Sequence, residues 1–273
     1  MIQDIYPSRL HNEYHAYEIR ENDRVFIFDP HGKAMLGGSD GKIIFPTGKD
    51  VNGNRCVYLF SVDEIRYFLK LQSSEETLEG YEFYSIRDAR DRFEGKEIFA
   101  VFTAYHLWKW YSDNVFCGKC AKKLVLSDKE RALCCPKCGN TVYPRINPAV
   151  IVGVKNGDSL LLTKYKRGFN HNALVAGFTE IGETLEECVA REVMEETGIK
   201  VKNIRYYKSQ PWGMAQDILV GYYCEADGDT TIRMDESELK YAEWVKRDDI
   251  VLQPNNLSLT NEMMRRFKEG EEQ

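Results

Sequence analysis

Apolar and polar residues alternate in short blocks along the first 111 residues of the chain. The blocks RVFIFD, KIIFPTG and CVYLFS are separated by turn residues and predict short strands. The run VDEIRYFLKLQ has the apolar spacing of an amphipathic helix, and EIFAVFTAYHLWKWYSDN ends in a helix-like run. We therefore expect an α+β domain over residues 1–111, whose aromatic and histidine side chains we interpret as core or solvated surface.

Longer apolar runs begin at residue 144. PAVIVGVKN and SLLLTKYK flank the turn residues NGD and predict a β-hairpin. After an acidic segment, VKNIRYYKSQPW and DILVGYYCEA predict two further strands, and LSLTNEMMRRFKEG predicts a C-terminal helix. Strands on both sides of a central helix indicate a domain of the α/β (α+β) class over residues 144–273.

Residues 112–143 form a cysteine-rich module between these two parts. Two CxxC pairs with fourteen residues between them have the spacing of a tetrahedral zinc site. Four sulfur ligands leave no open coordination position, so we expect a structural zinc rather than a redox pair, which needs only two cysteines. Gly118 and Gly139 are expected to relieve backbone strain in the two knuckle turns. The predicted zinc ligands are Cys117, Cys120, Cys135 and Cys138.

The charge balance limits the range of partners. Forty-three acidic and thirty-seven basic residues give a net charge of −6, so tight sequence-independent binding to DNA is not expected, whereas a small nucleotide is compatible. The N-terminus lacks the basic and apolar regions of a signal peptide, and no window approaches eighteen consecutive apolar residues. We expect a cytoplasmic protein with no membrane partner.

The acidic segment, residues 177–199, contains seven glutamates. Thr184 and Glu187 fit a capping box, so a helix is expected to begin there and to end at Gly198. On that helix Glu192 lies about 40° from Glu196 and about 60° from Glu195, all on one face. Such like charges destabilise a helix unless they are neutralised, and crowded oxygen ligands suit Mg²⁺ or Mn²⁺. The alternative is a solvated charged helix.

The spacing of the segment favours the metal-binding interpretation. It fits the Nudix box G-x5-E-x7-R-E-U-x-E-E-x-G-U, with U apolar, at every fixed position, and the chain therefore resembles the Nudix hydrolases. The matching residues are Gly177, Glu183, Arg191, Glu192, Val193, Glu195, Glu196, Gly198 and Ile199.

The Nudix resemblance implies an α/β/α sandwich and metal-dependent cleavage of a nucleoside diphosphate linked to another group. It also implies that Glu192, Glu195 and Glu196 bind the metal, and that one of them or a nearby glutamate is the base. Arg191 is expected to orient a box carboxylate through a salt bridge, and the glycine-bounded loop is expected to hold Glu183 nearby.

Two further features resemble the NADH pyrophosphatase family of Nudix hydrolases. One is the order of the modules, and the other is SQPW, which begins ten residues after the box. That family continues this motif as SQPWPFPxS, whereas this chain reads SQPWGMAQD. The resemblance implies hydrolysis of NADH or NAD⁺ to nicotinamide mononucleotide and AMP, and removal of NAD caps from RNA. It also implies a homodimer in which an aromatic residue of one subunit closes the other subunit's site.

The same resemblance assigns substrate contacts and one more metal ligand, Glu238, for which a surface turn is the alternative. Phe178 and Tyr143 are chemically sensible contacts, because a nicotinamide or adenine ring stacks on aromatic faces, although Trp212 could be a core residue. The predicted substrate contacts are Glu130, Tyr143, Ala176, Phe178, Gln210, Pro211, Trp212, Gly213, Met214, Ala215, Gln216, Asp217, Arg87 and Thr260.

Two other functions remain open from the sequence. One is a Nudix hydrolase of a different nucleoside diphosphate derivative, such as ADP-ribose. The other is a Nudix-derived ligand sensor without chemistry, which is disfavoured because every box carboxylate is present and no basic helix-turn-helix pattern occurs.

Overall fold

The computed structural model describes residues 1–38, 41–51, 55–75, 77–166 and 171–272. The chain divides into two compact units. One unit consists of Gln3–Arg145 together with Trp212–Gln216. The other consists of Met1–Ile2, Ile146–Pro211 and Asp217–Gln273. No helix among the described residues combines the length and the apolar character that crossing a membrane requires.

The first unit begins with a small, mostly antiparallel sheet. Its elements before the cysteine module are β1 (Leu10–His11), β2 (Arg24–Phe26), β3 (Ala34–Leu36), a 3-10 helix (Gly48–Val51), β4 (Cys56–Val62), β5 (Ile65–Lys70), β6 (Glu82–Tyr84), α1 (Ile86–Arg92) and α2 (Lys96–Asp113). The strand order is β1-β4-β5-β2, and β3 pairs with β6. Helix α2 buries most of its aliphatic and aromatic side chains, so this unit has its own apolar core.

The cysteine module adds three short strands to the first unit, β7 (Val125–Leu126), β8 (Leu133–Cys134) and β9 (Thr141–Val142), which pair antiparallel in sequence order. Trp110, at the end of α2, packs in one buried cluster with Cys117, Leu124 and Leu133. The module therefore shares a core with the helix that precedes it.

The second unit is a sheet covered by a helix on each face. Its elements are β10 (Asn147–Asn156), β11 (Ser159–Tyr165), β12 (Val175–Phe178), α3 (Leu185–Thr197), β13 (Val201–Trp212), β14 (Asp217–Ala226), β15 (Leu239–Lys246), a 3-10 helix (Arg247–Asp249) and α4 (Leu259–Lys268). The strand order is β13-β14-β10-β11-β15, with β12 also paired to β10, and β10 runs parallel to β14.

Alternation along β10 explains the two-sided packing of this sheet. Val150, Val152 and Val154 lie in one buried cluster with the apolar face of α3, whereas a Cβ on Gly153 would lie against Tyr223 and, at 3.5 Å, Met263 of α4. Successive residues of a strand point to opposite faces, so the two helices cover the two faces. The predicted α/β/α sandwich, hairpin and C-terminal helix are confirmed.

Two element predictions for the N-terminal part are wrong. The run VDEIRYFLKLQ forms the end of β4, a tight turn and strand β5 rather than a helix. Strand β5 lies between β4 and β2, and its centre is buried continuously from Tyr67 to Leu69; a strand buried in this way loses the alternation that distinguishes it from a helix. KIIFPTG makes isolated bridges, at Ile44 and Thr47, instead of a strand.

Candidate active site and zinc centre

Local contacts fix both ends of α3, the helix that carries the acidic segment. The Thr184 hydroxyl accepts a hydrogen bond from the Glu187 N–H at 3.2 Å, and the Glu187 carboxylate accepts one from the Thr184 N–H at 2.8 Å. Gly198 follows the helix with φ +71°, a conformation that glycine adopts without the steric cost of a side chain. The predicted capping box and terminal glycine are confirmed.

Arg191 links three carboxylates of the box to one another. Its guanidinium donates to both oxygens of Glu183 at 2.8 and 2.9 Å, to Glu192 at 2.8 Å and to Glu195 at 3.0 Å. It also donates to the Phe178 carbonyl at 2.9 Å, which connects the helix to β12. These bonds lower the pKa of Glu183 to about 2 and raise the pKa of Arg191. Arg191 therefore keeps Glu183 ionised and holds two box carboxylates in place.

Glu196 differs from the other box glutamates because it is buried. Its exposed fraction is 4%, and its Oε2 atom has no hydrogen-bond partner in the described part of the chain. Burial raises the pKa of Glu196 to about 8, with further contributions from the charges of Glu192, Glu238 and Asp235. An ionised carboxylate in such a position needs a cation or a donor, so this residue fits a metal ligand.

Glycine at the start of the box makes room for one of these carboxylates. A Cβ on Gly177 would overlap the carboxyl group of Glu192. Burial also raises the pKa of Glu192, although its bond to Arg191 opposes that effect. Gly177 thus allows the β12 backbone to lie directly against the Glu192 carboxylate.

The acidic face offers the oxygen ligands that a divalent cation prefers. The ligand oxygens have not, however, come together around one point. In the described part of the chain, no group of three or more ligand atoms within 4.8 Å of one another includes Glu192, Glu195 or Glu196. Oxygen donors with like charge repel one another until a cation neutralises them. These glutamates are the residues that would hold the divalent ion that a Nudix site uses.

Tyr165 is a residue near this site that the sequence reasoning missed. It ends β11, and it is held in its place by a bulged pairing with Leu239 of β15. The pKa of Tyr165 is well above its ordinary value. Burial is the largest cause, and the charges of Glu196, Glu238 and Glu192 are the next largest. Tyr165 is therefore a neutral phenol beside three carboxylates, and no motif in the sequence marks it.

The structure places Glu238 in the electrostatic field of the box. Its backbone carbonyl accepts a hydrogen bond from the Lys166 N–H at 3.0 Å, and Asp235 in the same turn donates its N–H to the Glu196 carbonyl at 2.9 Å. The turn is thus joined to the end of α3, and the charge of Glu238 raises the pKa values of Glu196 and Glu192. This placement is compatible with both the metal-ligand and the surface-turn interpretation.

The four predicted cysteines converge in the first unit. All their sulfur atoms lie within 4.8 Å of one another, and three of the pairs are 3.5 to 3.7 Å apart. A tetrahedron with Zn–S bonds of about 2.3 Å has edges of about 3.8 Å. The cysteine geometry therefore supports a structural zinc.

The backbone of the two knuckles corrects one detail of the sequence interpretation. Gly139, one residue after Cys138, has φ +72°, and Ala121, one residue after Cys120, has φ +57°. Gly118 does not have a positive φ. The strained position therefore follows each CxxC pair, and the first knuckle fills it with alanine.

Some of the predicted substrate contacts lie side by side. The Tyr143 hydroxyl donates to the Glu130 carboxylate at 2.9 Å in the first unit, and both residues are exposed. In the second unit, Ala176 and Phe178 flank Gly177 on β12, and Phe178 is 54% exposed. An exposed ring at the edge of the acidic face is available for stacking.

The side chain of Gln210 does not fit its predicted role. It is fully buried, donates to the Leu257 carbonyl at 2.8 Å and accepts from the Leu259 N–H at 2.7 Å. Leu259 is the first residue of α4, so Gln210 fixes the start of that helix. Both ends of its amide are occupied, and the side chain is not available to a substrate.

The predicted contacts after Gln210 differ in exposure. Pro211 and Ala215 are exposed, Trp212 and Met214 are half-buried, and Gly213, Gln216 and Asp217 are buried. Burial raises the pKa of Asp217 to about 6, opposed by a hydrogen bond from Asn147 at 3.5 Å. The chain from Pro211 to Asp217 therefore offers only some of its side chains to solvent.

Arg87 and Thr260 lie on helices other than α3. Arg87 is exposed on α1, an element of the first unit. Thr260 lies in the first turn of α4, which covers the face of the sheet opposite to α3. Their contacts with substrate stay predictions.

Known protein families match two adjoining parts of the chain. Residues 145–267 match the NUDIX domain, the part of the chain that carries the box described above. Residues 112–143 match the NADH pyrophosphatase zinc ribbon domain. More particularly, the part that matches the NADH pyrophosphatase zinc ribbon lies directly before the part that matches the NUDIX domain.

Curated relatives agree with these two matches. Proteins named NAD-capped RNA hydrolase NudC from Klebsiella pneumoniae (strain 342) and Shigella flexneri are 43% and 45% identical over 150 residues. Each match covers 54% of this chain and 58% of the relative, so the chain matches little more than half of their length. A solved NUDIX hydrolase from Nitrosomonas europaea superposes with a TM-score of 0.50 at 20% identity, over 56% of this chain and 90% of that one, which concerns the fold alone.

Proposed function

We propose that this chain is a metal-dependent diphosphatase that hydrolyses NADH or NAD⁺ to nicotinamide mononucleotide and AMP and removes NAD caps from RNA. The observation that carries the proposal is the buried carboxylate of Glu196, whose Oε2 atom has no hydrogen-bond partner among the described residues and whose pKa is raised by burial and by the charges of Glu192 and Glu238. The names of the relatives and the zinc ribbon support the choice of substrate.

Each residue of the acidic face has a defined task in this reaction. Glu192, Glu195, Glu196 and Glu238 would hold Mg²⁺ or Mn²⁺, which activates water and stabilises charge on the leaving phosphate when bound. Arg191 keeps Glu183 ionised and orients the carboxylates of Glu192 and Glu195. The water oxygen bonds to one phosphorus, the bridging P–O bond breaks, and a glutamate of this face takes the proton.

Three further features complete the proposal. Phe178, exposed beside Gly177, would stack on a base of the dinucleotide. The enzyme works in the cytoplasm, which is supported by eight cysteines without a disulfide. It acts as a homodimer, and light scattering on the purified protein tests this state.

A substrate panel tests the proposed function. The purified protein is incubated with Mg²⁺ or Mn²⁺ and NADH, NAD⁺, ADP-ribose or NAD-capped RNA, and the products are identified. We expect nicotinamide mononucleotide and AMP from the first two, and 5′-monophosphate RNA from the last. Preferential turnover of ADP-ribose would favour the alternative Nudix substrate. Binding without turnover of any compound would contradict an enzyme and favour a ligand sensor.

A further inference from the structure

A local excess of positive charge marks the end of the cysteine module that holds the two CxxC pairs. Residues 115–126 and 132–142 contain four lysines and no aspartate or glutamate, although the whole chain has a net charge of −6. All four lysines are exposed, and none of them forms an ion pair with a carboxylate of the described residues. They are Lys119, Lys122, Lys123 and Lys137.

The zinc knuckles bring these lysines together. Three of the four lie two residues after a cysteine of the cluster, and each donates its backbone N–H to the sulfur atom of that cysteine. The four sulfur atoms lie within 4.8 Å of one another, so the three lysine backbones surround one point of the module. The fourth, Lys123, forms an isolated antiparallel bridge with Phe116, the residue before Cys117.

The Phe116 side chain adds an exposed aromatic ring to this group of lysines. It is 63% exposed, so it contributes little to the core of the module. Its bridge with Lys123 places the two side chains next to each other across the strands. Lysines that alternate with an exposed ring suit a single-stranded nucleic acid, because its phosphates contact the cations and a base stacks on the ring.

Neutralisation of the metal centre is the alternative task for these lysines. Four thiolates outweigh the charge of one Zn²⁺, so the occupied centre is anionic. Backbone N–H groups already donate to three of the sulfur atoms, and the exposed ammonium groups are attracted to the centre only weakly through water. This task also gives no reason for the exposed ring of Phe116.

We propose that these four lysines and Phe116, called the knuckle surface below, bind the RNA chain of an NAD-capped substrate as a single strand. The inference rests on the proposed function, which supplies the RNA. The lysines contact phosphates and Phe116 stacks on a base, so this binding depends on salt and little on sequence. Free NADH has no such chain, so the knuckle surface acts on capped RNA alone.

The test uses the zinc-loaded chain and an uncapped, unstructured RNA of about fifteen nucleotides. One variant replaces three knuckle lysines with glutamine: Lys119→Gln, Lys122→Gln and Lys137→Gln. The control variant makes the same change in net charge at three exposed lysines of the second unit that have no ion pair among the described residues. Its substitutions are Lys200→Gln, Lys240→Gln and Lys246→Gln.

Fluorescence anisotropy measures RNA binding between about 50 and 200 mM salt. We expect the knuckle variant to bind at least about tenfold more weakly at the lower concentration. Its salt slope should fall by about two, because each lost phosphate contact removes about 0.7. The control variant should keep the wild-type slope. Equal weakening in the two lysine variants, unchanged binding in the knuckle variant, or a wild-type chain that does not bind RNA would overturn the proposal.

Phe116→Ala tests the stacking contact separately. It removes no charge, so we expect RNA binding to weaken about fivefold with an unchanged salt slope. Metal analysis and thermal unfolding of the knuckle variant test the alternative task. We expect the zinc content and the thermal midpoint of the wild-type protein. Loss of zinc from the knuckle variant would show that the lysines serve the metal centre, and would overturn the proposal.

Turnover distinguishes failure of this proposal from failure of the proposed function. The knuckle variant should hydrolyse NADH like the wild-type chain, whereas KM for NAD-capped RNA should rise about tenfold with kcat unchanged. An equal loss of activity on NADH and on capped RNA would overturn a role confined to RNA. A wild-type chain that hydrolyses neither compound, but binds uncapped RNA through the knuckle lysines, would contradict the proposed function and support the knuckle surface.

Discussion

The cysteine cluster and the glutamate face hold their ligands in opposite ways. Four sulfur atoms from two short knuckles already lie within 4.8 Å of one another. The box glutamates, placed on one helix, do not converge in that way: Arg191 binds two of them, and Glu196 is buried without a partner for one oxygen. The cysteines form a closed site, and the glutamates form an open one that retains unfavourable charge.

This difference follows from the task of each cluster. A structural ion stabilises the fold most when the backbone already brings its ligands together. A catalytic ion must leave positions for water and substrate, so ligands that are incompletely satisfied without it are useful. Substitutions in the first cluster should therefore act on folding, and substitutions in the second should act on chemistry.

Cys135→Ser should have the largest effect, and it should be an effect on folding. Loss of one thiolate removes a closed tetrahedral ligand set, so we expect zinc content to fall from about one ion per chain to nearly none, with a destabilisation of several kcal/mol. Metal analysis and thermal unfolding measure this. Cys134→Ser, at the adjacent thiol outside the cluster, is the control; equal zinc loss in both variants would show that the site is misassigned.

Glu196→Gln should abolish chemistry while leaving the fold intact. The amide keeps the shape of the side chain but cannot hold a cation, so we expect kcat to fall at least about a hundredfold. Its thermal midpoint should equal or exceed that of the wild-type protein, because no charge has to be buried. The control is Glu180→Gln on the exposed part of the box loop. Activity of Glu196→Gln within about tenfold of wild type would contradict the role of this carboxylate.

The sequence predicted the cysteine cluster and the helix that carries the box glutamates because their determinants are local. The capping box at Thr184 and Glu187, the terminal glycine and the cysteine spacing all act over a few residues, and each is present in the structure. Helical geometry then placed the box glutamates on one face.

Features that depend on tertiary packing could not be predicted from the sequence. Tyr165 is placed near the box by the pairing of β11 with β15. The Gln210 side chain is hydrogen-bonded to the backbone at the start of α4. Strand β5 looked helical because its centre is buried among other strands. Gly213 was recognised as a departure from the family pattern, but its reason, the backbone of Phe102, lies on an element distant in sequence.

Asp217→Asn tests whether a buried carboxylate outside the box also lowers the free energy of unfolding when it is ionised. Burial raises the pKa of Asp217 to about 6 from an ordinary 3.8. Because the folded-state pKa is the higher one, protonated Asp217 favours the fold at low pH, and this contribution is lost as pH rises from about 4 to about 6. Asparagine should therefore stabilise the protein by roughly 2 kcal/mol at pH 8 and by little at pH 4. Denaturant titrations at both pH values measure this, and an equal effect at the two would contradict a charge-based cost.

Ala121→Gly should have the smallest effect on stability. It tests whether the two knuckles of the cysteine cluster are equivalent. Ala121 and Gly139 occupy equivalent positions after the two CxxC pairs, and both have positive φ. A left-handed alanine costs about 1–2 kcal/mol, whereas glycine adopts this conformation freely but loses more entropy on folding. The net gain should be about 0.5 kcal/mol in unfolding free energy, with slower zinc release to a chelator. The reciprocal variant Gly139→Ala should be destabilised and release zinc faster. If both variants lower stability, the two knuckles are not equivalent, and the first must depend on the Ala121 side chain itself.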